Sequence, residues 1–300
     1  MPELPEVEIL VRHLQPLLKG KTIRNVEVRR PKVVLPSPVE SFSQTLKGVR
    51  FKNVTRRGKY LLFSLKLPRN GGSTVLVGHL GMTGRMYLLA TATPLPKHAA
   101  VIFGLGRENF VFEDTRYFGR LTLDSGAIAR LGPEPLSREF SAPAFAEKLA
   151  RSSQAIKVKL LDQTVVAGVG NIYASEALFR ARISPRAKAN RLTLEQIQRL
   201  HQGIRAVLTE AIQNGSTVPL SFSGRGKQGR LFYFGRVPGA PDYYTERLKV
   251  YDRAGKPCSV CGAPIQRQVQ AARSTFFCPE CQPLTTTRRS TTRPPSRPAP

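Results

Sequence analysis

Residues 59–67 read KYLLFSLKL. Leu61, Phe63, Leu65 and Leu67 alternate with Tyr60, Leu62, Ser64 and Lys66, the period-two pattern of a strand with one buried face. Further on, VIFGLGRENFVFED (101–114) reads as a hairpin that turns near Gly106–Asn109. Short strands with Gly-rich turns continue to about residue 125 and predict an antiparallel sandwich or barrel. Ahead of them, residues 5–20 read as a helix. Pro5 suits its first turn, Val7, Leu10, Val11, Leu14 and Leu17 recur at helical spacing, Gly20 can cap it, and Pro16 limits or kinks it.

Behind the strands the pattern changes. LGPEPLSREFSAP (131–143) is rich in Pro and Ser and reads as a linker. Thr193 and Gln196 have capping-box spacing, Ile197, Leu200, Ile204, Val207, Leu208 and Ala211 form one apolar face, and Asn214-Gly215 is a stop signal. Residues 221–247, full of Gly, aromatic and basic side chains, read as a long loop. The tail after residue 282 has four Arg, five Pro and no acid, a composition expected to stay disordered. The expected division is a sandwich domain over 1–132, a linker over 133–150, a helical domain over 151–248, a cysteine module over 249–282 and the tail over 283–300. The fold class is α+β.

The chain has 300 residues, with 47 Lys and Arg against 20 Asp and Glu, a formal net charge of +27. Such an excess concerns partners rather than fold, and nucleic acid is the leading polyanion candidate. No stretch is apolar enough to span a bilayer, and the acidic start is not a signal peptide. An intracellular location is expected, where cysteines seldom form disulfides. All four cysteines fall in C-x2-C-x16-C-x2-C: Cys258, Cys261, Cys278 and Cys281. That spacing suits one tetrahedral zinc ion with no open position, hence a structural metal. The intervening hairpin would carry Arg273 at its tip, either as a DNA contact or as a solvated charge.

Other segments place chemistry beside glycine. In VVAGVGNIYASEALF (165–179), Asn171 follows two glycines where a helix starts. It is a natural N-cap, and helix-start amides favour an anion. In RRGKYLL, Lys59 opens a strand and fits either a phosphate contact or a solvated strand end. HLGMTGRM offers His79 and Met82 in a Gly-bounded turn, and DTRYFG offers Arg116 and Phe118. Exposed side chains of this kind can enter a base stack; the plain alternative is packing between strands.

The order of these runs, with MPELPEVE (1–8) at the front, resembles the formamidopyrimidine-DNA glycosylase family from residue 1 to about 282. The resemblance implies an N-terminal β-sandwich lobe flanked by helices, and a C-terminal lobe with a helix-two-turn-helix element, a lesion-capping loop and the zinc hairpin. DNA would lie in the cleft between them. The implied activity is removal of 8-oxoguanine and formamidopyrimidines from double-stranded DNA, followed by cleavage at the abasic site. Pro2, exposed as the N-terminus once Met1 is removed, would be the nucleophile, since a free α-amine titrates near neutrality. Glu3 resembles the family's general acid and Glu6 a supporting acid. Lys59 resembles a lysine that aids β-elimination, and Arg273 the hairpin arginine of δ-elimination.

His79 in its turn is expected to contact DNA; by the same resemblance His98 contacts DNA, and Met82, Arg116 and Phe118 fill the gap left by the extruded nucleotide. Lys157 and Asn171 match phosphate clamps, and Lys227 sits where the capping loop meets the base. A monomer acting at the nucleoid in the cytoplasm is implied. The sequence departs from the family at Tyr117, Ser153, Ala100 and the long 224–244 loop. An endonuclease VIII-like preference for oxidised pyrimidines remains an alternative, although Leu4 favours the formamidopyrimidine branch. A non-catalytic zinc-containing DNA-binding protein is a third reading, and it would not require Pro2 or Glu3.

Overall fold

The computed structural model describes residues 2–68, 71–215 and 248–284; Lys227, the long loop and the basic tail lie outside these residues. The chain begins with α1 (Leu4–Leu18), β1 (Asn25–Val28), α2 (Val39–Leu46), β2 (Arg50–Arg57), β3 (Tyr60–Lys66), β4 (Ser73–His79), β5 (Arg85–Ala90), β6 (Ala99–Gly104), β7 (Glu108–Glu113) and β8 (Arg120–Thr122). The strands form two antiparallel four-stranded sheets, β1-β6-β7-β5 and β2-β3-β4-β8. The alternation that defines β3 holds, since Leu61, Phe63 and Leu65 are buried and the residues between them are not. The hairpin of β6 and β7 pairs Gly104 with Asn109, as the Gly-rich turn implied.

The core between the sheets is aromatic. Phe51 and Phe63 from one sheet meet Phe110 from the other, which in turn stacks on Phe103, with ring centroids 5.6 to 6.1 Å apart. Each ring is essentially inaccessible to water. Burying one such side chain stabilises the fold by about 1.5–3 kcal/mol.

After the short α3 (Gly126–Ala129), the second lobe contains α4 (Ala142–Ala150), α5 (Ile156–Leu160), α6 (Asn171–Arg180) and α7 (Leu194–Gly215), followed by the hairpin β9 (Gln266–Gln270) and β10 (Arg273–Phe277). Thr193 and Gln196 form the reciprocal capping box at the head of α7, with bonds of 2.9 and 3.2 Å. Part of the segment expected as linker is helical. Ser141 caps α4, Pro143 sits in its first turn, and Phe145 and Leu149 are buried in the second core. Ser and Pro are helix-start residues as well as linker residues, and the short apolar face was the stronger signal. Among the described residues, no helix is long and apolar enough to cross a membrane.

Helix α1 joins the two cores. Val7, Leu10, Val11, Leu14 and Leu18 lie in the first, whereas Leu4 lies in the second. The helix continues through Pro16 to Leu18, and Gly20 follows its end with a φ of 82°. This bridging brings the N-terminus of the chain into the junction between the lobes.

Candidate active site at the lobe junction

Pro2 is buried immediately ahead of α1, and Glu3, next to it, is 2% exposed. The carboxylate of Glu3 lies against the start of α6 in the opposite lobe. It accepts the amide hydrogens of Gly170 (2.8 Å), Ile172 (2.9 Å) and Tyr173 (3.3 Å). The helix start does bind an anion, and that anion is a side chain of this protein. Position 170 must be glycine, because a Cβ there would stand 2.4 Å from Glu3 Cδ and 2.7 Å from Lys59 Nζ. Asn171 is not the N-cap; Gly170 is. Asn171 instead donates from Nδ2 to the Ser274 carbonyl at 2.9 Å, and its Oδ1 accepts from the Lys157 ammonium.

Lys59 is 6% exposed, in the turn between β2 and β3. That turn is fixed from behind by Glu134, which accepts from Arg56 (2.8 Å), Arg57 (3.1 Å) and the Gly58 amide (2.6 Å). Burial lowers the pKa of Lys59, the charge of Glu3 partly restores it, and Arg273 lowers it again. Lys157, expected to clamp a phosphate, is fully buried, and its ammonium donates to Asn171 and to the Ser274 carbonyl. Its pKa is pushed down to about 8 by burial and then by Arg273. The ammonium therefore anchors the hairpin rather than presenting itself to solvent. Arg273 opens β10 at the exposed tip, after Ala271 and Ala272, which both have positive φ. Glu3, Lys59, Lys157, Asn171 and Arg273 thus converge from five separated segments.

Glu6 is the second acid of this junction. Its Oε2 accepts the Glu3 amide hydrogen at 2.8 Å, and its Oε1 accepts the Tyr173 hydroxyl at 2.7 Å. Burial, followed by the charge of Glu3, raises its pKa to about 7. A carboxyl that binds its proton more tightly when folded stabilises the fold fully below its unfolded pKa, and this contribution fades as pH rises through about 7. Glu6→Gln should remove that dependence. Between pH 5 and 8 the unfolding free energy of wild type should fall relative to Glu6→Gln by about 3 kcal/mol. Denaturant titrations at several pH values check this, and parallel curves would show that Glu6 does not titrate in that range.

Other expected residues form a separate exposed group on the first lobe. Arg116 Nη1 lies 3.4 Å from Met82 Sδ, and the guanidinium is 5.3 Å from the centre of the Phe118 ring. Met82 is 40% exposed and Phe118 49%. Buried Asp114 shapes their two loops by accepting from Thr83 Oγ1 (2.5 Å) and from the amides of Arg116 (3.1 Å) and Gly119 (2.8 Å). His79 packs on Tyr60, and its Nδ1 accepts the Gly81 amide hydrogen at 3.1 Å. Burial, then Lys59 and Arg120, lower its pKa to about 4, so it is neutral at physiological pH. His98 lies beside Tyr117.

The four cysteine sulfurs lie within 4.8 Å of one another. Cys258 and Cys281 are 3.9 Å apart, and Cys261 and Cys278 are 3.4 Å apart. A zinc tetrahedron with bonds of about 2.3 Å has edges of about 3.8 Å, so the cluster fits zinc. The amides of Val260 and Cys281 point at Cys258 and Cys278, each at 3.4 Å, as is appropriate for thiolates. Glu176, on α6, accepts the amides of Lys249, Val250 and Tyr251, and Gln282 donates to the Ile183 carbonyl. These bonds join the cysteine module to the helix that also carries Asn171. Glu176, Tyr173 and Glu134 were not singled out in the sequence, although Tyr173 and Glu176 lie within the GVGNIYASE run.

Known proteins agree with this arrangement. Residues 1–121 match the formamidopyrimidine-DNA glycosylase N-terminal domain, residues 131–221 the formamidopyrimidine-DNA glycosylase H2TH domain, and residues 255–284 the zinc finger found in FPG and IleRS. A formamidopyrimidine-DNA glycosylase of Symbiobacterium thermophilum is 43% identical over 95% of this chain and 90% of its own. The Lactococcus lactis Fpg, solved with DNA containing an abasic site, superposes with a TM-score of 0.81 at 35% identity, covering 94% of this chain and 100% of its own. That protein is also solved with Fapy-dG DNA and with DNA containing an oxidised pyrimidine, both at a TM-score of 0.80. With every segment of the junction inside these matches, the chain belongs to the formamidopyrimidine-DNA glycosylase family, DNA glycosylases of base excision repair in which lyase activity is characteristic.

Proposed function

We propose that this enzyme removes oxidised purines, 8-oxoguanine and formamidopyrimidines, from duplex DNA and then cuts the strand, with Pro2 as nucleophile. The observation that carries the reading is the carboxylate of Glu3, one residue from Pro2 and gripped by three amides of the opposite lobe. The freed Pro2 amine bonds to C1′ of the sugar as the bond to the base breaks and the base leaves with a proton. Opening of the sugar ring then gives an iminium. That group accepts the electron pair released when a C2′ proton is lost, and the 3′ phosphate departs. A second elimination expels the 5′ phosphate, and water frees the proline. Glu3 serves the proton transfers of base loss and ring opening. Glu6, with its raised pKa, holds a proton nearby. Lys59 and Arg273 face the phosphates that leave.

Met82, Arg116 and Phe118 occupy the gap from which the nucleotide is extruded, because the reacting atoms cannot be reached inside a duplex. One zinc ion, held by the four cysteines, orders the hairpin and takes no part in bond breaking. Lys157 sets Asn171 and the Arg273 hairpin in place. The enzyme works as a cytoplasmic monomer on double-stranded DNA.

Duplexes carrying single defined lesions test the substrate class. 8-oxoguanine opposite cytosine should be excised faster than an oxidised pyrimidine in the same buffer. The reverse order would favour the second reading, which rests on the Lactococcus lactis relative having been solved with oxidised-pyrimidine DNA. A protein without excision or cleavage on any of them would be a DNA-binding relative only.

A further inference from the structure

Three residues far apart in sequence meet at the edge of the exposed Met82–Arg116–Phe118 group. Tyr117 lies between Arg116 and Phe118, and its backbone is left-handed, with a φ of 53°. This conformation costs a residue with a side chain roughly 1–2 kcal/mol, so the surroundings must hold it. Its ring carries the guanidinium of Arg30 on one face, 4.8 Å from the ring centre. Its hydroxyl lies 3.3 Å from Nδ1 of His98. Backbone pairing fixes both neighbours, since the Arg30 amide donates to the Ala100 carbonyl at 3.2 Å and the Asp114 amide to the His98 carbonyl at 3.1 Å. Arg30 is exposed and, among the described residues, forms no ion pair with a carboxylate. An aromatic ring that holds a solvent-facing guanidinium keeps its donors free and directed, an arrangement suited to a phosphate.

We propose that Arg30 adds a DNA-phosphate contact beside His98, whose own contact with DNA the family resemblance already implies, and that Tyr117 is the positioning residue that ties this grip to the Met82–Arg116–Phe118 wedge. The proposal rests on the glycosylase reading above. A phosphate bound at Arg30 and His98 pulls on the Tyr117 ring, and Tyr117 shares its backbone with both Arg116 and Phe118. Binding of the duplex backbone and insertion of the wedge are therefore one event.

Affinity for a duplex carrying an uncleavable abasic analogue, measured over a range of salt concentrations, tests the site. Arg30→Ala should lower the log–log salt slope by about 1, as expected for one lost phosphate contact. Arg30→Lys should keep the slope but weaken binding, because the stacked plane is lost. An unchanged slope in Arg30→Ala would overturn the phosphate site. Tyr117→Leu tests the coupling through single-turnover excision. It should slow release of 8-oxoguanine from a fully paired duplex about tenfold, while cleavage at a preformed abasic site, where no base resists extrusion, should change less than about twofold. Equal loss on both substrates, or none, would overturn the coupling. Tyr117→Phe, which keeps the ring under Arg30, should retain the salt slope. A wild-type enzyme inactive on every lesion would contradict the proposed function instead.

Discussion

Borohydride added to the enzyme and an abasic-site duplex should trap a covalent protein–DNA adduct, and peptide mapping should place it on residue 2. The amine of a chain that begins at Pro2 is secondary, so its condensation with the sugar aldehyde gives an iminium that borohydride reduces to a stable amine. Pro2 sits at the lobe junction, beside the acid that both lobes hold. Lys59 is the competing nucleophile, since its burial lowers its pKa. An adduct on a lysine, or undiminished trapping when Met1 is retained and blocks the amine, would identify a different nucleophile. Glu3→Gln should separate the two stages. Release of an intact lesion should fall on the order of 100-fold, as general-acid catalysis is lost. Trapping at a preformed abasic site should largely persist, because the amine already has an aldehyde to attack.

The second large effect concerns the cysteine cluster. Cys258→Ser, or removal of the metal with a strong chelator, should release the hairpin and reduce strand cleavage by about 100-fold or more. The Ser274 carbonyl anchors both Lys157 and Asn171, and a misplacement of about 1 Å at such a site costs about two orders of magnitude. The β-sandwich should stay folded, because its core shares no residue with the module. Elemental analysis should give one zinc per chain in wild type and a loss in the variant. Metal-free protein of full activity would refute the assignment.

Much of the fold could be read in the sequence because its determinants are local. The alternation of β3, the hairpin turn before Glu108, the capping box at Thr193 and the apolar stripe of α7 each fit in a window of fewer than about 20 residues. The cysteine cluster was legible for the same reason, as two tight turns bring each pair together. The linker reading went astray over α4, where a helix start has linker-like composition. What sequence could not reveal is long-range. Nothing near Glu3 indicates that its partners are the amides of residues 170, 172 and 173, and nothing near Glu134 indicates that it fixes the Lys59 turn. The motif around Asn171 pointed to an anion at a helix start, but not to an anion supplied by the same chain. Burial also sets the surroundings of two expected contact residues, since the Lys157 ammonium donates to Asn171 and to the Ser274 carbonyl and His79 is neutral at physiological pH.

The span between Glu3 and its partners has a meaning for the birth of the enzyme. A ribosome releases the amino end first, and domains generally fold in that order. The sandwich can close while Glu3 and Glu6 are still without the amides and hydroxyl that hold them, for Gly170, Ile172 and Tyr173 arrive only 167 to 170 residues after Glu3. A product of interrupted translation that ends before residue 170 would carry the amine proposed as nucleophile and a folded first lobe, but an unsecured acid. Release of a damaged base thus requires a chain that extends past residue 173, and shorter fragments from stalled synthesis should fail to excise a lesion.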